Sequence, residues 1–442
     1  MDTNPFQAPA LKLPPELKIE PVRRPVDLDL AVPGSKSITN RCLIIGALAE
    51  GEVSLSGALY ADDTHYMAQA LAGLGFRVEP EWEQARCRIW GFGGVIPKHG
   101  GEIFVGAAGT AMRFLSAFVS LGQGRFRLDG TPRMRERPIE DLLQGLRMLG
   151  VDARSEQGNQ CPPVVVEAKG LPGGLARVDG SRSSQYLSAL LLVAPYARAP
   201  LRLEITGAFV SRPFVELTLK VMSDFGVGTA REGERVFLPA HGVKYRAGEY
   251  AIEGDATAAS YFLAAAAILG GRCLVTNVSG DSAQGDAAFA DVLARMGCRV
   301  RKNMLGGKMG IEVSRDPKTP LRPIAADLNA MPDVAQTLAV VCLFAEGKSR
   351  IFNIANLRIK ETDRLKALAT ELRRLGAEAV EGGDELQITP GAPKDAKVET
   401  YGDHRMAMAL ALVGLARPGV TIKDPACVSK TYPNFFEDLK KL

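Results

Sequence analysis

The chain has 442 residues, 46% of them hydrophobic and 24% charged, enough for two or three domains with a large core. Its net charge is only +4, from 54 basic and 50 acidic residues, so nothing calls for nucleic acid as a partner. The seven cysteines (42, 87, 161, 273, 298, 342 and 427) contain no CxxC pair and the four histidines have no chelating spacing. No metal or cofactor is expected, and the thiols read as reduced core residues of a cytoplasmic protein. The longest apolar run, Tyr261 to Leu269, is too short to span a bilayer. Met1 to Pro33 is Pro-rich and lacks the apolar segment of a signal peptide.

After that arm, Pro33-Gly34-Ser35-Lys36-Ser37-Ile38-Thr39-Asn40-Arg41 leads into the apolar run Cys42 to Ala49. This spacing predicts a loop feeding the N-terminus of a buried helix, with Lys36 at the entrance and Arg41 about one turn in. Free N–H groups, two hydroxyls and two cations suit a dianion. The second glycine of a Walker loop is missing, and taken alone the stretch reads more readily as a solvated cap than as a binding site.

Further along, a pattern repeats. A Leu-Gly or similar pair closes an amphipathic segment at Gly75, Gly150, Gly226, Gly297 and Gly376, a period of about 75 residues. Each glycine stands where a helix C-terminus wants one. Upstream of each amphipathic helix lies a second kind, apolar nearly all round: Arg41–Ala49, Ala111–Leu121, Ser184–Ala194, Ala256–Leu269, Val334–Ala345 and Arg405–Leu415. Helices apolar on every face are buried. Six units of buried helix, strand, amphipathic helix and strand therefore predict two domains of three units. Each buried helix starts with a polar loop: Gly34 to Ser37, Ala107 to Thr110, Gly180 to Gln185, Gly254 to Thr257, Met331 to Asp333 and Gly402 to Arg405. If the units share one polarity, these positive helix ends converge, and Lys36 and Ser37 gain weight as ligands.

The loops, taken in order with Arg133-Met-Arg-Glu-Arg-Pro138, Ser211-Arg-Pro213, Lys360-Glu-Thr-Asp-Arg364 and Lys430-Thr431, resemble the enolpyruvyl transferases from Pro33 to Leu439. The branch acting on shikimate 3-phosphate is the closest. The resemblance implies a mixed α/β (α+β) fold of two domains, each with three βαβαββ-type units and parallel buried helices, an inside-out α/β barrel that closes on its ligands. It implies a discontinuous first domain, 1–33 plus 254–442, a second at 34–253, and hinges near 33–34 and 253–254. It implies transfer of the enolpyruvyl group of phosphoenolpyruvate to the 5-hydroxyl of shikimate 3-phosphate through a tetrahedral intermediate, releasing phosphate, by a monomer with small-molecule partners only.

By the same resemblance, Lys36, Ser37, Arg41, Ser183, Ser184, Gln185, Ser211, Asp333, Asn356 and Lys360 would bind shikimate 3-phosphate. Lys36, Gly109, Arg137, Gln185, Arg364, His404, Arg405 and Lys430 would bind phosphoenolpyruvate, and Asp333, Lys360 and Glu361 would carry protons. Three positions depart from the family pattern. Ala107 replaces an Asn, Phe114 a Pro and Phe214 a Tyr, which implies altered handling of phosphoenolpyruvate and of the herbicide glyphosate that takes its place. Two other readings share the fold: transfer to UDP-N-acetylglucosamine, which needs a reactive cysteine, and a non-catalytic binder of phosphate ligands. A relation to the RNA 3′-phosphate cyclases would require a basic face that net charge +4 does not suggest.

Overall fold

A computed structural model describes residues 11–305 and 308–442, so the first ten residues of the arm lie outside the described part. The chain separates into two compact units. One is Gly34–Ile252; the other joins the described part of Pro9–Pro33 to Glu253–Leu442.

The helices come in pairs, a buried one followed by an amphipathic one. In the first unit these are α1 (Lys36–Leu48) with α2 (Asp62–Gly73), α3 (Gly109–Phe118) with α4 (Glu140–Met148), and α5 (Ser184–Val193) with α6 (Arg212–Asp224). In the second they are α7 (Ala256–Leu269) with α8 (Phe289–Arg295), α9 (Ala335–Cys342) with α10 (Arg364–Arg374), and α11 (His404–Ala416) with α12 (Phe435–Leu439). The buried helices α1, α3 and α5 pack on one another in the first unit, as do α7, α9 and α11 in the second. Their small side chains permit that closeness, and the sheets lie outside them.

Five amphipathic helices end alike. The glycines at 75, 150, 226, 297 and 376 have φ between 85° and 105°. The next residue's N–H returns to the helix in each case: Phe76 to Leu71, Val151 to Leu146, Val227 to Met222, Cys298 to Leu293 and Ala377 to Leu372. This is the Schellman closure, which needs a left-handed residue at C′ and so selects glycine. The repeated glycine is thus the device that turns each helix back into a strand.

Among the described residues each unit has three open sheets. A complete sheet is exemplified by Gly174–Asp179 parallel to Leu201–Thr206, which pairs antiparallel with Val236–Pro239, itself antiparallel to Thr229–Glu232. With α5 joining the parallel pair and α6 following, this is a βαβαββ module. Two modules take their first strand from a distant part of the chain. Gly248–Ala251 pairs with Glu50–Ser56 behind α1, and Val26–Leu30 pairs with Gly271–Val275 behind α7. Among the described residues the chain therefore crosses from one unit to the other at Pro33–Gly34 and at Ile252–Glu253. Asn277 brackets the segments entering the second unit. Its side chain accepts from Val32 N at 3.0 Å and donates to Val32 O at 2.7 Å, and its carbonyl accepts from Gly254 N at 2.7 Å. The sixth module, Ala396–Val398 beside Val420–Lys423, is completed antiparallel by Glu16–Lys18 from the N-terminal arm. The arm is thus part of the fold of the second unit from Glu16 onward.

Candidate active site

In the first unit the N-termini of α3 and α5 meet, since Gln185 Nε2 donates to Thr110 Oγ1 at 3.3 Å. Arg41, six residues into α1, lies with its guanidinium carbon 5.3 Å from the ring centre of Phe114, six residues into α3. The three helices thus run parallel, with their positive ends at one edge. Ser35 caps α1 and Ser183 caps α5, accepting from Ile38 N and Gln185 N. The N-cap of α3 is Ala108, which has no side chain to offer, so the amides of that helix start suit an anion.

Around these ends stand the residues singled out from the sequence. Lys36 Nζ lies 3.2 Å from Asp63 Oδ2, with both side chains largely buried. Arg137 crosses the start of α3, donating to the Ala107 carbonyl at 3.4 Å. A Cβ on Gly109 would fall 2.7 Å from that guanidinium, so glycine is what lets the arginine lie there. Ser184 and Ser211 are buried, and Ser211, at φ 55°, holds a left-handed conformation just before Arg212 and Pro213. Non-glycine residues in that region cluster at functional turns. Ser37 is partly buried in the first turn of α1. The loop arginines Arg182 and Arg212 pair with Asp141, and with Glu216 and Glu234, and remain solvated.

Arg41 is more of a brace than its position suggests. Only 2% exposed, it donates to Thr218 Oγ1, the Ser37 carbonyl and the Phe214 carbonyl, each at 2.8 Å, and to Ser188 Oγ at 3.5 Å. Burial pushes its pKa down to about 9.

In the second unit the chemistry gathers around Asp333, in the turn before α9. Arg405 donates to Asp333 Oδ2 at 3.0 Å and Arg364 to Asp333 Oδ1 at 3.3 Å, while Lys360 Nζ lies 3.9 Å away. Arg364 also donates to Glu361 at 2.8 Å and to Asp403 at 2.7 and 3.2 Å. Lys430 Nζ lies 3.8 Å from Glu361. Burial works against the charge of Arg364, but Asp403, Glu361 and Asp333 outweigh it and hold its pKa above the ordinary value. Arg405 is held high in the same way, chiefly by Asp333. Asp403 caps α11 through Arg405 N at 2.9 Å. His404 is fully buried beside it, and Asn356 is buried in the short helical turn leading to Lys360. Four cations, Lys360, Arg364, Arg405 and Lys430, thus surround three carboxylates, Asp333, Glu361 and Asp403, at a helix start. Such a cluster binds anions and can move protons.

Sequence reasoning passed over Asp63 and Asp286 as site residues and named Asp403 only within the polar loop Gly402 to Arg405. Asp63 sits in the acidic first turn of α2, an ordinary dipole position, and nothing local ties it to Lys36. Among the described residues no group of three or more His, Cys, Asp or Glu is placed to hold a metal.

The chain is an enolpyruvyl transferase by family, and the two clusters lie on that fold. Solved structures share the architecture: EPSP synthase from Acinetobacter baumannii superposes with TM-score 0.79 at 24% identity, covering 96% of this chain and 98% of that one. An enolpyruvyl transferase from Streptomyces tendae gives 0.76 at 19% identity, covering 97% of each. The sequence profile described as EPSP synthase (3-phosphoshikimate 1-carboxyvinyltransferase) matches residues 22–439, and the chain belongs to that family. A 3-phosphoshikimate 1-carboxyvinyltransferase of Shewanella amazonensis is 46% identical over 97% of this chain and 99% of its own. The chloroplastic protein of that name from Arabidopsis thaliana is 45% identical over 97% of this chain and 84% of its own.

Proposed function

We propose that this enzyme transfers the enolpyruvyl group of phosphoenolpyruvate to the 5-hydroxyl of shikimate 3-phosphate, releasing phosphate, in the shikimate route to aromatic amino acids. The observation that carries the reading is the Asp333 cluster, four cations and three carboxylates at a helix start in a chain of this family. Phosphoenolpyruvate brings a phosphate and a carboxylate. Arg364, Arg405 and Lys430, with His404 beside them, supply opposite charge, and Lys36, Arg137, Gln185 and the open backbone at Gly109 supply more. Shikimate 3-phosphate is assigned to Lys36, Ser37, Arg41, Ser183, Ser184, Gln185 and Ser211, with Asp333, Asn356 and Lys360 for its ring oxygens.

The reaction forms a bond from the 5-oxygen to C2 of phosphoenolpyruvate. The hydroxyl proton leaves to Asp333, or to Lys360 in its neutral amine form, while a protonated Glu361 gives its proton to the methylene. A methyl proton then returns to the enzyme as the C–O bond to phosphate breaks. The two domains are 1–33 plus 254–442 and 34–253, with hinges near 33–34 and 253–254. A monomer in the cytoplasm suits the free thiols, and among the described residues no helix is long and apolar enough to cross a membrane.

Transfer to UDP-N-acetylglucosamine is disfavoured by the cysteines, since burial pushes all seven thiols up, away from the thiolate such chemistry needs. The test is phosphate release from phosphoenolpyruvate with each acceptor and no added metal. Release with shikimate 3-phosphate alone is expected. Release with the nucleotide sugar alone would overturn the proposal, and binding without release would leave a non-catalytic relative.

A further inference from the structure

Behind the Asp333 cluster lies a carboxyl that the reaction above does not use. Asp286, in the short turn Gly285–Ala288 ahead of α8, is 3% exposed. Its Oδ2 accepts a short hydrogen bond from the Thr257 hydroxyl in the first turn of α7. Its Oδ1 is buried and has no hydrogen-bond partner among the described residues. An ionised carboxylate with a bare buried oxygen is costly; a neutral carboxyl tolerates it far better.

The charged groups in reach are Asp333 ahead of α9, Arg405 in the first turn of α11 and Asp255 capping α7. The charges of α8 are engaged elsewhere, Asp291 with Lys302 and Arg295 with the Ala325 carbonyl. Arg405 therefore has three acidic neighbours, Asp333 by hydrogen bond and Asp286 and Asp255 across the buried interior, with the Tyr261 phenol against it as well.

We propose that Asp286 is a positioning residue for phosphoenolpyruvate, acting through Arg405: uncharged, it leaves the guanidinium's field to Asp333 and the incoming anion, and ionised, it draws part of that field away. The inference rests on the functional reading above, in which Arg405 binds phosphoenolpyruvate. Burial, then the like charge of Asp333, raises the Asp286 carboxyl to about 7, with Thr257 and Arg405 opposing. The switch therefore falls near neutral pH.

The experiment compares KM for phosphoenolpyruvate in the native enzyme and Asp286→Asn from pH 6 to 8.5. Taking the ratio at each pH cancels the titration of the substrate's own phosphate. The ratio of native to variant KM is expected to rise about threefold or more across this range, with kcat moving less, because kcat reports the substrate-bound enzyme. A ratio constant with pH would assign Asp286 a merely structural role and overturn the proposal. If Asp286→Asn does not fold, Thr257→Val decides. Removing the hydroxyl that favours the carboxylate should move the native rise in KM to higher pH, whereas Thr257→Ser should leave it in place; no shift overturns the proposal.

A substrate-free arm separates this inference from the functional reading. The folded carboxyl titrates above its unfolded value of about 4. Folding therefore holds a proton that the unfolded chain releases, and native stability falls as pH rises from about 4 to about 7. Asp286→Asn should thus gain unfolding temperature on the native chain across that window and keep the gain above it. A gain in a chain that transfers no enolpyruvyl group would sink the functional reading and, with it, the positioning role. No gain would sink the proton on Asp286 itself.

Discussion

Arg41, on α1, ties to three other helices through one side chain, reaching α5 through Ser188 Oγ at 3.5 Å as well as α6 and α3. From α1 it reaches Thr218 and Phe214 on α6, returns to the Ser37 carbonyl, and lies over the face of Phe114 on α3. Lysine keeps the charge and loses the planar fork, so Arg41→Lys should cost about 2–4 kcal/mol in unfolding free energy. An equilibrium denaturant titration checks this. A stability unchanged within error would show that the brace carries nothing. The same contact separates two departures from the family pattern. Ala107 lies at the approach to α3, where an Asn would add a donor and an acceptor beside Arg137. Ala107→Asn should therefore shift KM for phosphoenolpyruvate, and glyphosate inhibition, by about fivefold or more. Phe114 is fully buried in the interior of α3. Phe114→Pro removes both an amide and the platform under Arg41, so its main effect should be a lower unfolding temperature. If Phe114→Pro moved inhibition and left stability intact, this division between the two sites would be wrong.

At the scale of helices and strands, the sequence and the structure agree where the determinant is local. The Schellman glycines were legible because a left-handed residue at C′ excludes nearly everything else. The buried helices were legible because small apolar residues on every face leave no surface for water. Their starts at Ser35, Ser183, Asp255 and Asp403 follow cap chemistry, with the side chain of each accepting from its own first turn. What escaped are pairings across the chain. Lys36 with Asp63, Arg364 with Asp403 and Asp286 with Thr257 join residues whose local surroundings look like ordinary caps or first-turn acids. The loop before α3 shows how narrow the fit becomes once these contacts form. Gly109→Ala would set a methyl against the Arg137 guanidinium. It should raise KM for phosphoenolpyruvate about tenfold through loss of a charge-assisted contact, with little change in unfolding temperature. An unchanged KM would remove Arg137 from the substrate.

Across the whole molecule, the pairing of the distant first strands and the closing of the sixth module by the arm carry no signal in the residues themselves, and only the family resemblance joined 1–33 to 254–442. Glu16–Lys18 is three residues long and follows two prolines, too little for a periodic signal, and its partner at Val420–Lys423 is some 400 residues away. The structure shows what seats the arm in the second unit. Ile19, 5% exposed, donates its N–H to the Val420 carbonyl, and Val22 donates to the Leu415 carbonyl at the end of α11. Between these points Ile19 lies against Gly414, where an added Cβ would fall 2.5 Å from the Ile19 Cβ. In a free helix, alanine for glycine is favourable by about 1 kcal/mol. Here the methyl would collide with the arm strand rather than with a flexible tip, so Gly414→Ala should instead destabilise the chain by about 1–3 kcal/mol. The sign alone separates helix propensity from packing. Ile19→Ala makes room for the methyl at the expense of its own burial. The double variant should therefore lose less than the two single losses combined. Strict additivity would mean that the arm yields without cost, and that its seat on α11 contributes nothing to the stability of the sixth module.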